Sequence, residues 1–238
     1  MENKPVLNRR EVKRQKTAKT MKGAAARIVI MTAVLLIACF AVMGINRLTD
    51  YIHEKNYRAL SDEEIAYALV RGEEKEAENA DASSEKRLEF ARAACSIVGK
   101  VNYFWGGKSL VLGWDSRWGT PTTVTAPGSG STGKVLPFGL DCSGFVDWTF
   151  YNATNGAYLP GRGGGAASQH GYCTNIAWSD ALPGDLVFYA DDSHVGIVCG
   201  YDSVGNILVI HCSGGQNGVV VTGHEGFAVA ARPDLFTD

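Results

Sequence analysis

The sequence predicts an α+β fold in which helices pack on one face of an antiparallel sheet. Three observations carry this. Apolar residues at helical spacing fall in two stretches between residues 85 and 154; short apolar runs separated by turn residues fill 185–231; and the two patterns do not interleave, as a parallel doubly wound sheet would require. The chain has 238 residues, 45% of them hydrophobic, with 28 Gly and 7 Pro. That supports one sizeable core and excludes a disordered, collagen-like or coiled-coil chain.

Four segments are expected in chain order: a basic cytoplasmic tail over 1–27, a transmembrane anchor over 28–45, a polar, partly helical stalk over 46–84, and a folded domain over 85–238. The net charge of −2 hides an asymmetry. Residues 1–27 hold nine Lys and Arg against two Glu, whereas the remainder holds 14 basic and 23 acidic residues. The acidic balance of the main body argues against a nucleic-acid partner. From Ile28 to Ile45 the run IVIMTAVLLIACFAVMGI carries no charge and is just long enough, at helical rise, to span a slightly thin bilayer. With the basic cluster before it, the positive-inside bias puts the N-terminus in the cytoplasm and residues 46–238 outside. The run lacks a clean small-x-small cleavage site. A lipidated Cys39 would leave apolar FAVMGI where a polar tether belongs, so an uncleaved anchor is favoured over either kind of signal. The stretch GEEKEAENADASS has too few large apolar residues to build a core and reads as stalk.

The domain opens with a helix. Ser83 and Ser84 stand at capping positions before EKRLEFARAACSIVGK, where Leu88, Ala91, Cys95 and Val98 recur every three or four residues and Gly99 stops the run. A Gly- and Trp-rich stretch and a loop containing APGSGSTGK follow. A second helix starts at LDCSGFVDWTF, with Asp141 as cap and Cys142, Phe145, Val146, Thr149 and Phe150 on one stripe. The runs LVFY, HVGIVCGY, ILVIHC, GVVVT and FAVAA, separated by DDS, DSVGN, SGGQNG and GHEG, are expected to form a meander of consecutive antiparallel strands.

Chemistry concentrates at a cysteine and two histidines. Cys142 lies at the expected helix N-terminus, where unpaired N–H groups and the helix dipole favour a thiolate. His194 opens one expected strand and His211 nearly closes the next, so a hairpin about DSVGN brings both to one end of the sheet. A thiol nucleophile needs a base in reach and a third group to orient that base.

YFWGG at 103–107, DCSGFV at 141–146, PGDLVFY at 183–189, HVGIVCG at 194–200 and VIHCS at 209–213 resemble, in this order, the signature of the NlpC/P60 family of papain-like cell-wall cysteine peptidases. The resemblance extends over roughly residues 86–232. It implies a truncated papain-like domain that cleaves peptidoglycan stem peptides, most often between D-glutamate, through its γ-carboxyl, and a diamino acid, without a cofactor or metal. On matching positions Cys142 is the nucleophile, His194 the general base and acid, and His211 the residue orienting it. Tyr103 contributes to oxyanion stabilisation beside the Cys142 amide, and Ser143 contacts a substrate carboxylate. Arg162 resembles the arginine of the family's Leu-Pro-Arg motif, with Gly161 intervening, and suits the free carboxylate of D-glutamate. Where the family has a short connection between WGG and DCSG, this chain has 33 residues, Lys108 to Leu140, with Trp114, Asp115, Arg117 and Trp118 among them. They are expected to form a lip or lid over the cleft.

The cysteines outside the anchor, Cys95, Cys142, Cys173, Cys199 and Cys212, are odd in number, so full pairing would leave one over, and the resemblance of the DCSG motif implies that Cys142 is the free thiol. Cys95 and Cys199 read as small core residues, and Cys173 with Cys212 as a possible pair. A zinc site from Cys142, Cys212, His194 and His211 is disfavoured, since no Cys-x-x-Cys or His-x-x-x-His spacing is present and adjacent His211 and Cys212 point to opposite strand faces. The competing functions are a CHAP-type amidase or endopeptidase and a catalytically silent wall-binding module.

Overall fold

The structure is a computed structural model that describes residues 84–237, residues 27–41, and positions 9, 10, 13, 20, 21, 63, 66, 68–72 and 74. It divides into two units, Met1–Asp50 and Tyr51–Asp238. In the first, residues 27–41 are helical and exposed, with Ile28, Val29, Ile37 and Phe40 all open to solvent. Among the described residues no helix is long and apolar enough to cross a membrane. Residues 42–45 of the expected span, and most of the expected tail and stalk, lie outside the described residues.

In the second unit, helix α1, Ser84–Cys95, has a last turn that runs into a tight turn ending at Gly99 (φ 70°). Helix α2, Cys142–Ala153, begins at the expected cap: the Asp141 carboxylate accepts from the Gly144 amide at 2.6 Å. Between them the long connection is an ordered structure, not a bare loop. It holds a two-stranded hairpin, β1 (Pro121–Thr123) with β2 (Val135–Pro137), and Trp118 packs edge-on to Trp148 of α2 with ring centroids 5.5 Å apart. A short helix α3, Ala166–His170, follows a glycine-rich turn.

The main sheet has six antiparallel strands in the order β3-β8-β4-β5-β6-β7, comprising β3 (Cys173–Ile176), β4 (Leu186–Phe188), β5 (Val195–Tyr201), β6 (Ile207–Ser213), β7 (Gly218–Gly223) and β8 (Val229–Pro233). Strands β4 to β7 form the expected meander. The expectation fails for the last strand. Instead of continuing beyond β7, β8 crosses back to lie between β4 and β3, with Leu186 opposite Ala231 and Asn175 opposite Ala231 on its other edge. The small side chains of Ala230 and Ala231 are fully or almost fully buried there, consistent with a central strand clasped on both edges.

The sheet is covered on both faces. Alternate residues Val195, Ile197 and Cys199 of β5 and Leu208, Ile210 and Cys212 of β6 join the core shared with α1 and α2, while Val198, Ile207 and Val209 join a smaller cluster with Phe227 and Trp178. Helix α1 is tied down by charge as well as packing: Arg87 donates to Asp185 at 2.9 Å, and Asp185 also accepts from the Arg232 guanidinium at 3.0 and 3.2 Å and from the Leu182 amide at 2.9 Å. Part of the segment read as stalk belongs to this unit. Ala68 is buried in the core, and a methyl group added at Gly200 of β5 would overlap the Ala68 carbonyl.

Candidate active site

Three backbone approaches set the start of α2. The Asp141 amide donates to the Gly107 carbonyl at 3.1 Å, the Leu140 amide to Asn102 at 3.1 Å, and the Phe104 amide to Leu140 at 2.9 Å. A side chain at Gly144 would overlap the Gly107 carbonyl, and one at Gly107 would overlap that of Gly139. The glycines of YFWGG and DCSG are therefore required by two chain segments running in contact. Through this contact Tyr103 pairs beside Leu140, two residues before Cys142, and its ring packs against Gly214.

Cys142 is the first residue of α2 and is 7% exposed. The amides of Val195 and Ser143 and the Lys108 ammonium pull its pKa down, yet burial and the neighbouring Asp141 carboxylate prevail and push it from 9 up to about 12. That is about 4 kcal/mol against the thiolate, whereas a helix terminus supplies about 0.3–1 kcal/mol in its favour. The thiolate expected from the helix position alone is thus not the resting form; the site rests as a thiol.

The amide of Val195 against this thiol brings the start of β5, and with it His194, to the α2 N-terminus. The β5–β6 hairpin sets Ile197 opposite Ile210 and carries His211 across from the same end. His194 Nε2 and His211 Nδ1 lie 2.7 Å apart, with the rings nearly perpendicular at 79°. Gly196 lets the strands close: an added Cβ would press on Val209 and lie 3.2 Å from the His211 Cβ. Both rings are buried against Phe227, and Tyr189 covers His194. Desolvation lowers His194 from 6.5 to about 4 and His211 further below its ordinary value, so both are neutral near pH 7.

The remaining candidates separate. The Ser143 hydroxyl is buried, donating to Asp141 Oδ1 at 2.9 Å and accepting from Lys108 Nζ at 2.8 Å. Lys108 also donates to Asp147 at 2.9 Å and to the Gly164 carbonyl at 3.1 Å, which draws the glycine-rich turn towards α2. Arg162, in that turn, is exposed, has φ 53°, and lies over the Tyr172 ring at 5.4 Å. Gln169 is fully buried and donates to the Ser143 carbonyl and to Asp147, both at 2.9 Å. Lys108 was read in the sequence only as the start of the long connection and Gln169 only as part of a Ser-Gln segment that resembles the family's; the signal for both was that they adjoin a recognised motif.

The cysteines do not pair. All six are free thiols, with Cys212 donating to Leu140 O at 3.1 Å and Cys173 to Gln169 O at 3.3 Å, so the possible Cys173–Cys212 bridge is absent.

An α+β domain with a buried thiol at a helix start, next to a strand pair that holds two bonded imidazoles, defines the class: a thiol–imidazole site. The NlpC/P60 family profile matches residues 100–231, more than half of the chain, and the chain belongs to that family. Among curated proteins, a probable endopeptidase of Mycobacterium tuberculosis is 43% identical over 82 residues, 34% of this chain and 19% of that protein. The bifunctional muramidase/DL-endopeptidase CwlT of Bacillus subtilis is 41% identical over 68 residues, 26% of this chain and 19% of its own length. The chain thus spans about a fifth of the length of these relatives. Among solved structures, the peptidoglycan hydrolase RipB of Mycobacterium tuberculosis matches with a TM-score of 0.45 at 25% identity, covering 66% of this chain and 69% of RipB.

Proposed function

We propose that this chain is a membrane-anchored peptidoglycan hydrolase that cuts stem peptides at D-γ-glutamyl–diamino acid bonds, with Cys142 as nucleophile, His194 as general base and acid, and His211 as its orienting partner. The observation that carries the reading is the 2.7 Å contact of His194 Nε2 with His211 Nδ1. It occupies one nitrogen of His194 and leaves the other for the thiol on α2, whose sulfur meets the amide of the next residue, Val195. Family membership and a relative named as a DL-endopeptidase support the substrate class.

In this mechanism the Cys142 thiol passes its proton to His194 Nδ1 as sulfur attacks the amide carbon. The tetrahedral oxyanion is met by the Cys142 amide and Tyr103. His194 returns the proton to the leaving amine as the C–N bond breaks, and water activated at the same nitrogen then hydrolyses the thioester. Arg162, exposed in its turn, is assigned to the free α-carboxylate of D-glutamate. Ser143 takes part once substrate displaces one of the two partners its hydroxyl now holds. Cys142→Ala should abolish cleavage of muropeptides by the full chain while leaving its thermal unfolding midpoint within a few degrees. Mass spectrometry of the products checks both chemistry and bond: retained cleavage overturns the nucleophile, and scission at the lactyl-alanine bond assigns a CHAP-type amidase instead.

The anchor reading rests on the charge-free run Ile28 to Ile45 and on the exposed, almost wholly apolar helix over 27–41. It puts the N-terminus in the cytoplasm of a bacterial cell, with a single pass and the catalytic domain on the far side. The full chain should stay with membranes through alkaline carbonate washing and lose that retention when 28–45 is deleted; release of the intact chain by carbonate would refute it.

A further inference from the structure

Behind His211 lies a group that the mechanism above does not use. Thr222 of β7 is 1% exposed, and its hydroxyl oxygen is 3.2 Å from His211 Nε2 and 2.8 Å from the Gly223 carbonyl oxygen. A hydroxyl has one hydrogen and can serve one acceptor with it. The carbonyl has no hydrogen to offer, so if that shorter contact is a hydrogen bond the Thr222 hydrogen goes to Gly223, and the contact with His211 is then made by a hydrogen on His211 Nε2. A neutral imidazole with hydrogen on Nε2 has a bare Nδ1. His211 Nδ1 then accepts from His194 Nε2–H across 2.7 Å, and His194 in turn has a bare Nδ1.

The opposite polarity has a definite chemical cost. If Thr222 turned its hydrogen to His211, the Gly223 carbonyl would lose that partner. His211 would carry hydrogen on Nδ1 and donate it to His194 Nε2, and His194 would present Nδ1–H to the thiol. A protonated Nδ1 on a neutral ring cannot accept the proton of Cys142. Both rings are neutral near pH 7 and pack against Phe227, and the Thr222 hydroxyl stands at the far end of the chain they form.

We propose that Thr222 is a positioning residue that, by donating to Gly223 and accepting from His211, fixes the tautomers of His211 and His194 so that the nitrogen facing Cys142 is the basic one. The proposal rests on the thiol mechanism above, but its direct readout, the site of each ring proton, does not depend on the substrate. In the folded full chain, nitrogen-15 NMR of labelled histidine should find His194 protonated on Nε2 and bare on Nδ1 at pH 7; hydrogen on Nδ1 in the wild type overturns the proposal whatever the variants do. Thr222→Val keeps the β-branched shape and removes the hydroxyl. It should show His194 molecules protonated on Nδ1 and lose about 10-fold or more in kcat at nearly constant KM, the bias of about one hydrogen bond. Thr222→Ser retains the hydroxyl and should keep the wild-type tautomers and most of kcat. Unchanged tautomers in Thr222→Val, or a Thr222→Ser defect equal to that of Thr222→Val, overturns it. A wild type that cuts no stem peptide, yet shows the tautomer shift in Thr222→Val, supports the relay and counts against the substrate.

Discussion

At the scale of single residues, the energetics of Cys142 and His194 lead to a different pH dependence from that of an enzyme resting as a thiolate–imidazolium pair. Burial holds the thiol protonated up to about 12 and the imidazole neutral down to about 4. In the proposed mechanism the reacting form is therefore thiol plus neutral base. Its population falls only when His194 gains a proton on acidification or Cys142 loses one at high pH. kcat/KM should be flat from about pH 5 to pH 9. Stopped assays of muropeptide cleavage across that range check this, and a limb near the ordinary histidine value of 6.5, or a fall between 7 and 9, would contradict it. The three residues of the proposed machinery, Cys142, His194 and His211, each lie in a short motif of the sequence. Thr222 was not legible there: its contact with His211 depends on β7 pairing with β6 so that Val209 faces Thr222 and His211 faces Val220, and no local pattern encodes that register. Nor was the burial that reverses the helix-end preference of Cys142, since it comes from β5 laid across the helix start.

At the scale of elements, helices α1 and α2 and strands β4 to β7 were readable from periodicity, whereas the five-residue α3 and the strands β1, β2 and β3 were not. These three strands have three or four residues each, and their partners lie elsewhere in the chain or across a turn rich in glycine and serine. The placement of β8 also escaped, because alternation tells a strand from a helix but not which neighbour it takes. What binds these elements is a carboxylate. Asp185 of the PGDLVFY motif is fully buried and serves α1 through Arg87 and β8 through Arg232, so the aspartate is explained by architecture and not by substrate. Asp185→Asn keeps the size and removes the charge both guanidiniums share. Breaking a buried pair by removing one partner costs about 3–5 kcal/mol. Urea unfolding of Asp185→Asn should show a loss of that order, and a loss under about 1 kcal/mol would mean that the guanidiniums are held by packing instead.

At the scale of the whole molecule, the core reaches further towards the N-terminus than the segment that composition reads as folded, since it takes in Ala68 and Leu69. A polar run around residues 72–84 looks like the end of a stalk when composition alone is weighed, because a segment that contributes a few small side chains to a core has little hydrophobic signal. Ala68 is fully buried all the same, Leu69 packs on the core, and Gly72 approaches Pro183 so closely that an added Cβ would lie 3.1 Å from its ring. This contact reaches Cys199 and Gly200, near the C-terminal end of β5, the strand that carries the Val195 amide to the thiol and that α1 also packs against. A fragment beginning at residue 84 uncovers that part of the strand, whereas one beginning before residue 63 keeps it covered. Loss of one buried alanine and its neighbours exposes apolar surface worth about 25 cal/mol per Å² and leaves a hollow beside Gly200. The shorter fragment should unfold several degrees earlier, and amide hydrogen exchange should be faster in β5 than in β7. Equal unfolding midpoints for the two fragments would show that residues 68–72 rest on the domain without supporting it, and that the boundary drawn from composition is the physical one.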